Sequence, residues 1–591
     1  MTQSSGIAAE YAARAGRLFE QGQLGQAHAE VQRGLAAAPD DVPLLQLLVD
    51  IDDILNRTEE AVAACNRLAA LQPGNALIQV KIGDLWTKAF DHGRAEQAFR
   101  SALQSDPGNT LVMDRLIDLW RTSGKVAEAK DMLSRRAGVS ADAENQAAHR
   151  FKRALMQPVI ARDNAEIDAA RADFNAAVAA GPEERLSDPY RLGLGPNFFS
   201  GYQARDDRSA QEALARFYLA ATPSLAETAP HVGTGVAGRR IRVGLISHYF
   251  SKHTVGYLCY GLASLLDRKR FELVLFRTAN SHRDGDTERF AAVAPMIDLA
   301  PDLAQARRQI ANARLDVLHF PEIGMEPLTY FLAFARLATV QTAFWGHPVT
   351  TGIPNVDYFL SPDAMEPETG ESHYSERLLR LKNLTFAGEQ PGPPQTFDLQ
   401  IEAGRPSYVC VQSLFKIHPD FDATLAHILR ADPKGVIYFV TFLPYPDALL
   451  KARFERSFGH DIARVRFLPR MTSGQFRHLV GSADVILDVP QWSGGKTSLD
   501  TLAAGTPIVH QPGAFMRGRH TLAFYRRMGL TTSVADSSES YADIAVRLAN
   551  DRVFRNDVQA QIVANSPKLF DDVASIREIE DAWDAALRER S

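Results

Sequence analysis

The chain has 591 residues, 45% of them apolar and 23% charged, with a formal net charge of −6 at pH 7. That length predicts several structural units in a globular protein of ordinary composition, and the acidic balance excludes a general nucleic-acid binder. Cys65, Cys259 and Cys410 fit no zinc or disulfide spacing, and the most apolar short run, 436–443, is far shorter than a bilayer span, so a cytoplasmic protein is expected.

Along the chain, the first residues, MTQSSGIAAEYAARAG, lack the apolar core of a signal peptide. Pro39, Pro73 and Pro107 then recur every 34 residues, and Ala27, Ala61, Ala95 and Ala129 keep the same beat. A 34-residue period is the tetratricopeptide signature: small alanines let paired helices approach, and each proline stops the second helix of its pair. About four repeats are expected between residues 6 and 141, forming a stack whose groove suits a protein or peptide partner. Residues 142–238 alternate Ala-rich helical patterns with a loop, GLGPNFFSGYQARDDRS, and end in a polar Pro/Gly-rich segment, TPSLAETAPHVGTGVAG.

From Arg239 the texture changes. RIRVGLIS, FELVLFR, LDVLHF, ATVQTAFW and VDYFLS are strand-like runs separated by helical patterns, which predicts a parallel, doubly wound sheet. After the Pro-rich GEQPGPPQTFD the pattern restarts with SYVCVQ, VIYFVTF, RVRFL, DVILD and TPIVH. Two such sheets predict a two-domain enzyme with a cleft beyond the carboxyl ends of the strands.

The stretch PQWSGGKTSLD follows the strand ADVILD. It is one glycine short of a nucleotide-hydrolysing P-loop, because Pro490 stands where the first glycine is required and has no N–H to donate. Gly494, Gly495, Lys496, Thr497 and Ser498 at a helix start still make an anion cradle, and Asp500, one turn in, can accept a ribose hydroxyl. Lys416, just past the first strand of the second half, can neutralise a departing phosphate, and Gln412 can bond a base or phosphate. In the first half, His253 is a candidate acid/base or orienting group, Glu322 a candidate base or acceptor contact, and His347 a third polar group at a strand end. Asp284 and Asp286 form an Asp-x-Asp, but in a polar loop, so no metal site is expected.

These segments, IRVGLISHYFSKH, PEIGMEPLTYFLAFARLATVQTAFWGHPVTTGIPNVDY, HYSERLLRL, QSLFKIHP and SADVILDVPQWSGGKTSLDTLAAGTPIVHQPG, resemble the TPR-containing protein O-glycosyltransferases of the O-GlcNAc transferase and SPINDLY family. The resemblance implies an N-terminal TPR α-solenoid (1–141), a helical linking region (142–238) and a GT-B glycosyltransferase. Its two Rossmann-like domains would be 239–395 on the acceptor side and 396–591 on the nucleotide-sugar side. It implies an inverting, metal-independent transferase without a cofactor, acting on Ser or Thr of a protein that the TPR groove recruits. His253 then matches the active-site histidine, Lys416 the diphosphate contact, and Thr497 and Asp500 the phosphate and ribose positions. Arg519 occupies the place of a family arginine, and Phe476 stands where a base-stacking histidine is usual. The family's NGHTT is here GGKTS, and Lys496 beside the phosphates suits a CMP-nonulosonate donor as an alternative to UDP-GlcNAc. Some bacterial relatives modify flagellin, which makes it a candidate acceptor. A TPR adaptor with an inactive transferase domain is the rival reading.

Overall fold

The computed structural model describes residues 2–233, 238–392, 395–399, 401–441 and 447–590, with backbone alone for 2–5. Parts of three expected features, 234–237 of the Pro/Gly-rich segment, 393–394 of the Pro-rich join and 442–443 of the apolar run, lie outside the described residues. The chain divides into two compact units, Met1–Asp142 and Ala143–Ser591.

The first unit is a TPR solenoid of helix pairs, beginning with Thr2–Glu20 and Leu24–Ala37 and ending with Thr110–Thr122 and Val126–Gly138. The periodic alanines, Ala27, Ala61, Ala95 and Ala129, are all fully buried where helices meet. A cap recurs on the same beat: Asp41, Asn75 and Asn109 accept backbone N–H groups from Leu44, Leu77 and Val112 at 3.0–3.1 Å. Such caps satisfy otherwise orphaned helix-start donors. Ion pairs join successive repeats, Asp50 to Lys81 at 3.6 Å and Asp84 to Arg115 at 2.8 Å.

The second unit contains two wholly parallel sheets. The first comprises β1 (Ile241–Ser247), β2 (Phe271–Thr278), β3 (Met296–Leu299), β4 (Leu315–Phe320), β5 (Ala338–Phe344), β6 (Tyr358–Pro362) and β7 (Arg377–Leu381), in the order β3-β2-β1-β4-β5-β6-β7. The second comprises β8 (Ser407–Cys410), β9 (Val436–Val440), β10 (Val465–Leu468), β11 (Val485–Leu487) and β12 (Ile508–Val509), in the order β10-β9-β8-β11-β12. β1, β4, β5, β8 and β9 are near-continuous apolar runs because helices cover both faces. The strand runs of the sequence match these elements, except that β3 and β7 were not foreseen. β3 is only MIDL, and β7 is half-exposed with an Arg at either end of its Leu pair, so neither carries a strong apolar signal.

Two expected boundaries differ from the structure. Residues 143–233 are part of the second unit rather than a separate linking region, since Phe151, Phe217 and Tyr218 share its core. The last helix, Val573–Arg590, returns to the first sheet instead of staying with the second. Its Trp583 is fully buried, 6.3 Å from Phe271 and 5.6 Å from His319, and Glu578 accepts the backbone N–H groups of Lys382 and Asn383. Apolar positions recurring every three to four residues identify such a helix but not the sheet that receives it.

Candidate functional site

Strand order reverses between β1 and β4 in the first sheet and between β8 and β11 in the second. Loops diverge at such switch points, so a crevice opens at the carboxyl ends of the strands. A cavity of ≈ 650 Å³ lies there, lined by the loop after β1, the loop after β8, and the helix start after β11. That volume is within the range that takes a nucleotide-sized ligand.

The wall from the second sheet is cationic. After β11 the chain turns through Ser493 and Gly494 into the helix Lys496–Ala503, with Gly495 as its N-cap. Gly494 has no room for a side chain: a Cβ would stand 2.8 Å from both Gln412 Nε2 and Thr497 Oγ1. Buried Asp488 holds the turn, accepting Gly494 N–H at 2.8 Å, Ser493 Oγ–H at 2.6 Å and the His510 ring at 2.9 Å. These donors hold its carboxyl below the usual range despite burial. Lys496, Thr497 and Asp500 line the cavity. The Lys496 ammonium pairs with Asp500, one turn along the same helix, and lies 4.6 Å from the centre of the Tyr257 ring of the facing domain. Burial raises the Asp500 pKa, with Lys496 and then Arg477 opposing the shift.

After β8, a single turn, Leu414–Lys416, places Lys416 and Gln412 on the same wall. Lys416 Nζ donates to Gln412 Oε1 at 3.4 Å and stands 5.6 Å from the Trp492 ring. Desolvation pushes its pKa down to about 8. Tyr202, from the region expected as a linker, packs its ring 4.7 Å from Phe415 and 4.0 Å from Trp492, and so braces this corner. Phe476 and Arg477 reach the cavity from the helix Ser473–Ser482, with Arg470 just before it.

The wall from the first sheet is closer to neutral. His253 caps the helix Thr254–Leu265, its Nδ1 accepting Val255 N–H at 3.2 Å, and its ring stacks on Tyr249 at 4.1 Å. Burial, helped by His248 and Lys416, pushes its pKa down to about 4, so the ring is neutral. With Nδ1 accepting, the proton resides on Nε2, and His253 offers the cavity a donor. Arg289 is paired with Glu389 at 2.5 Å and Asp286 at 3.4 Å. Asp284 is occupied as a helix cap, accepting from Asp286, Thr287 and Lys252 N–H groups at 2.8–3.1 Å.

The structure brings His253, Gln412, Lys416, Phe476, Lys496, Thr497 and Asp500 onto one cavity, with Gly494 and Gly495 in the turn behind it. It sets four expected residues apart. Glu322 is 1% exposed and accepts His248 N–H at 2.9 Å, while burial pushes its pKa up to about 8. It therefore holds the β1 loop from below as a neutral acid and does not line the cavity. His347 is buried against Phe198, with ring centres 5.5 Å apart, under Gly324, where a Cβ would stand 2.7 Å from its ring. Ser498 turns inward to Thr521 Oγ1 at 2.9 Å. Arg519 donates to the carbonyls of Met365 and Gly513 at 3.1 and 3.2 Å, which joins the two domains outside the cavity. Sequence reasoning missed Asp488, Tyr257 and Arg477. Asp488 carried a signal, an acid at the end of an apolar strand just before a glycine turn.

Residues 404–575 match the family model described as Glycosyl transferase family 41. Over 361 residues the chain is 22% identical to a protein from Arabidopsis thaliana named as a probable UDP-N-acetylglucosamine–peptide N-acetylglucosaminyltransferase SEC, covering 58% of this chain and 37% of that one. Over 335 residues it is 24% identical to a UDP-glucose:protein N-beta-glucosyltransferase from Actinobacillus pleuropneumoniae, covering 55% and 53%. The chain thus spans about half or less of the length of these relatives. Its structure is similar to that of a mutant Thermobaculum terrenum O-GlcNAc transferase, with a TM-score of 0.65 and 22% identity over 100% of this chain and 99% of that one. Two parallel sheets with facing switch points, preceded by a TPR solenoid, make this a GT-B glycosyltransferase architecture. The match to the family 41 model lies within the domain of the second sheet.

Proposed function

We propose that the chain transfers a sugar from a nucleotide-sugar donor to a hydroxyl of a protein acceptor. The observation that carries this reading is a helix start and the desolvated Lys416 ammonium on one wall of the cavity between the sheets. A leaving nucleotide develops charge on its phosphate, and preorganised donors in a water-poor site stabilise that charge most effectively. Lys416, Thr497 and the N–H groups of the helix start supply them. Phe476 offers its face to the base and Asp500 accepts from the ribose. His253, neutral and donating, orients an oxygen of the acceptor or sugar. Glu322 holds the β1 loop in place.

UDP-sugars are the favoured donors. Lys496, the cation that would suit an acidic CMP-linked sugar, is already engaged by Asp500. The two curated relatives are named for UDP-linked donors. The solenoid supports recruitment of a protein acceptor in its groove, and the resemblance to bacterial relatives makes flagellin one candidate. The reading gives leaving-group neutralisation to protein cations, so turnover persists in excess chelator; its loss would contradict that role.

The test is incubation of the purified chain with UDP-GlcNAc, UDP-glucose, GDP-fucose and CMP-nonulosonate, with nucleotide release and the intact mass of co-expressed proteins measured. Release from a UDP-sugar with a matching mass increment on a protein is expected. No release from any donor, with unmodified protein in cells, would leave the adaptor reading.

A further inference from the structure

Lys496 faces the cavity beside the expected phosphate position, yet its ammonium is spent elsewhere. It pairs with Asp500 at the four-residue spacing that places both on one helix face, and it lies over the Tyr257 ring. Tyr257 is itself fixed, its hydroxyl donating to the Glu389 carbonyl at 3.0 Å and its ring packed against Gly388. The Asp500 side chain is only 11% exposed, and a carboxylate so enclosed needs a cation to remain ionised. Arg477 is the other cation acting on Asp500, but no hydrogen bond joins the two among the described residues, and its Nε is buried without a partner.

We propose that Lys496 is a positioning residue for ribose recognition, holding Asp500 charged and oriented to accept a ribose hydroxyl, and that it is not a phosphate ligand. This rests on the donor-site reading above. An ionised, fixed carboxylate discriminates strongly for a hydroxyl donor, whereas a protonated or swinging one does not. In that role Lys496 acts through Asp500, and its removal is felt only by nucleotides that carry the ribose hydroxyls. A phosphate ligand would be felt by every phosphorylated form alike.

The test begins with titration of UDP, GDP and CMP into the full chain. Failure of all three to bind overturns the donor-site reading, and this inference with it. The nucleotide that binds is then compared with its 2′,3′-dideoxy form in wild type and in Lys496→Met. A hydrogen bond to a charged group is worth about tenfold or more, so wild type should prefer the ribose form by that factor. Lys496→Met should erase the preference while the dideoxy form binds within about twofold of wild type, which also reports an intact fold. Lys496→Arg should restore the preference, and Lys496→Met should raise KM for the sugar donor far more than it lowers kcat. Equal weakening of both nucleotides would make Lys496 a phosphate ligand. A preference absent from wild type, or surviving in Lys496→Met, would equally overturn the proposal.

Discussion

The two walls of the cavity are built from the same kind of unit, a parallel sheet with its switch point facing the crevice, yet one is cationic and the other close to neutral. On the second-sheet wall Lys416, Arg470 and Arg477 line the cavity beyond the Lys496–Asp500 pair. On the first-sheet wall Lys252 and Arg289 are balanced by Glu389 and Asp286, and His253 is uncharged at neutral pH. The difference follows from what each wall would touch: a phosphate needs fixed positive charge, whereas a hydroxyl acceptor needs only an oriented hydrogen bond.

The comparison breaks most visibly at Lys416. Lys416→Ala should lower turnover about 10²–10³-fold in steady-state assays of nucleotide release, the usual cost of losing one preorganised charge-stabilising group. Phe476→Ala should weaken nucleotide binding next most, by roughly 1–3 kcal/mol if the ring stacks on the base, measured by calorimetry. His253→Ala, on the neutral wall, should leave nucleotide affinity unchanged and reduce kcat by about tenfold, the scale of one hydrogen bond. An equal loss of nucleotide affinity there would erase the distinction between the walls.

A pH series sharpens the same contrast. The Lys416 pKa is depressed to about 8, so its ammonium is present below that value and is lost as pH rises through it. Nucleotide affinity should hold from pH 6 to 7 and fall above 8. His253 titrates near 4 and contributes no change in that window. The smallest effect is expected at Glu322→Gln, which keeps the oxygen that accepts His248 N–H and replaces an acid already neutral near pH 7. Activity within about threefold of wild type is predicted, as only a hydrogen bond of similar strength is exchanged. A loss as large as that of Lys416→Ala would make Glu322 a proton-transfer group.

Much of this was legible in the sequence where local chemistry fixes geometry. The 34-residue beat of Ala and Pro specifies helix pairing, and apolar runs followed by Gly, Lys or His mark strand ends at the cleft. What stayed hidden was direction. Thr497 and Ser498 are adjacent on one helix, yet one faces the cavity and the other turns to Thr521. Glu322 and His347 lie at strand ends as expected but point into packed interior, because Gly324 lets the His347 ring close over that loop. The engagement of Lys496 by Asp500 was implicit in their four-residue spacing and was overlooked in favour of the phosphate.

The central claim, that the second-sheet wall grips a nucleotide's phosphate, is tested most directly by calorimetric titration of UDP into the full chain and into Lys416→Ala. The account predicts saturable one-to-one binding that weakens at least tenfold in the variant, in line with the loss of one hydrogen-bonded charge contact. Equal affinity in both proteins would contradict it.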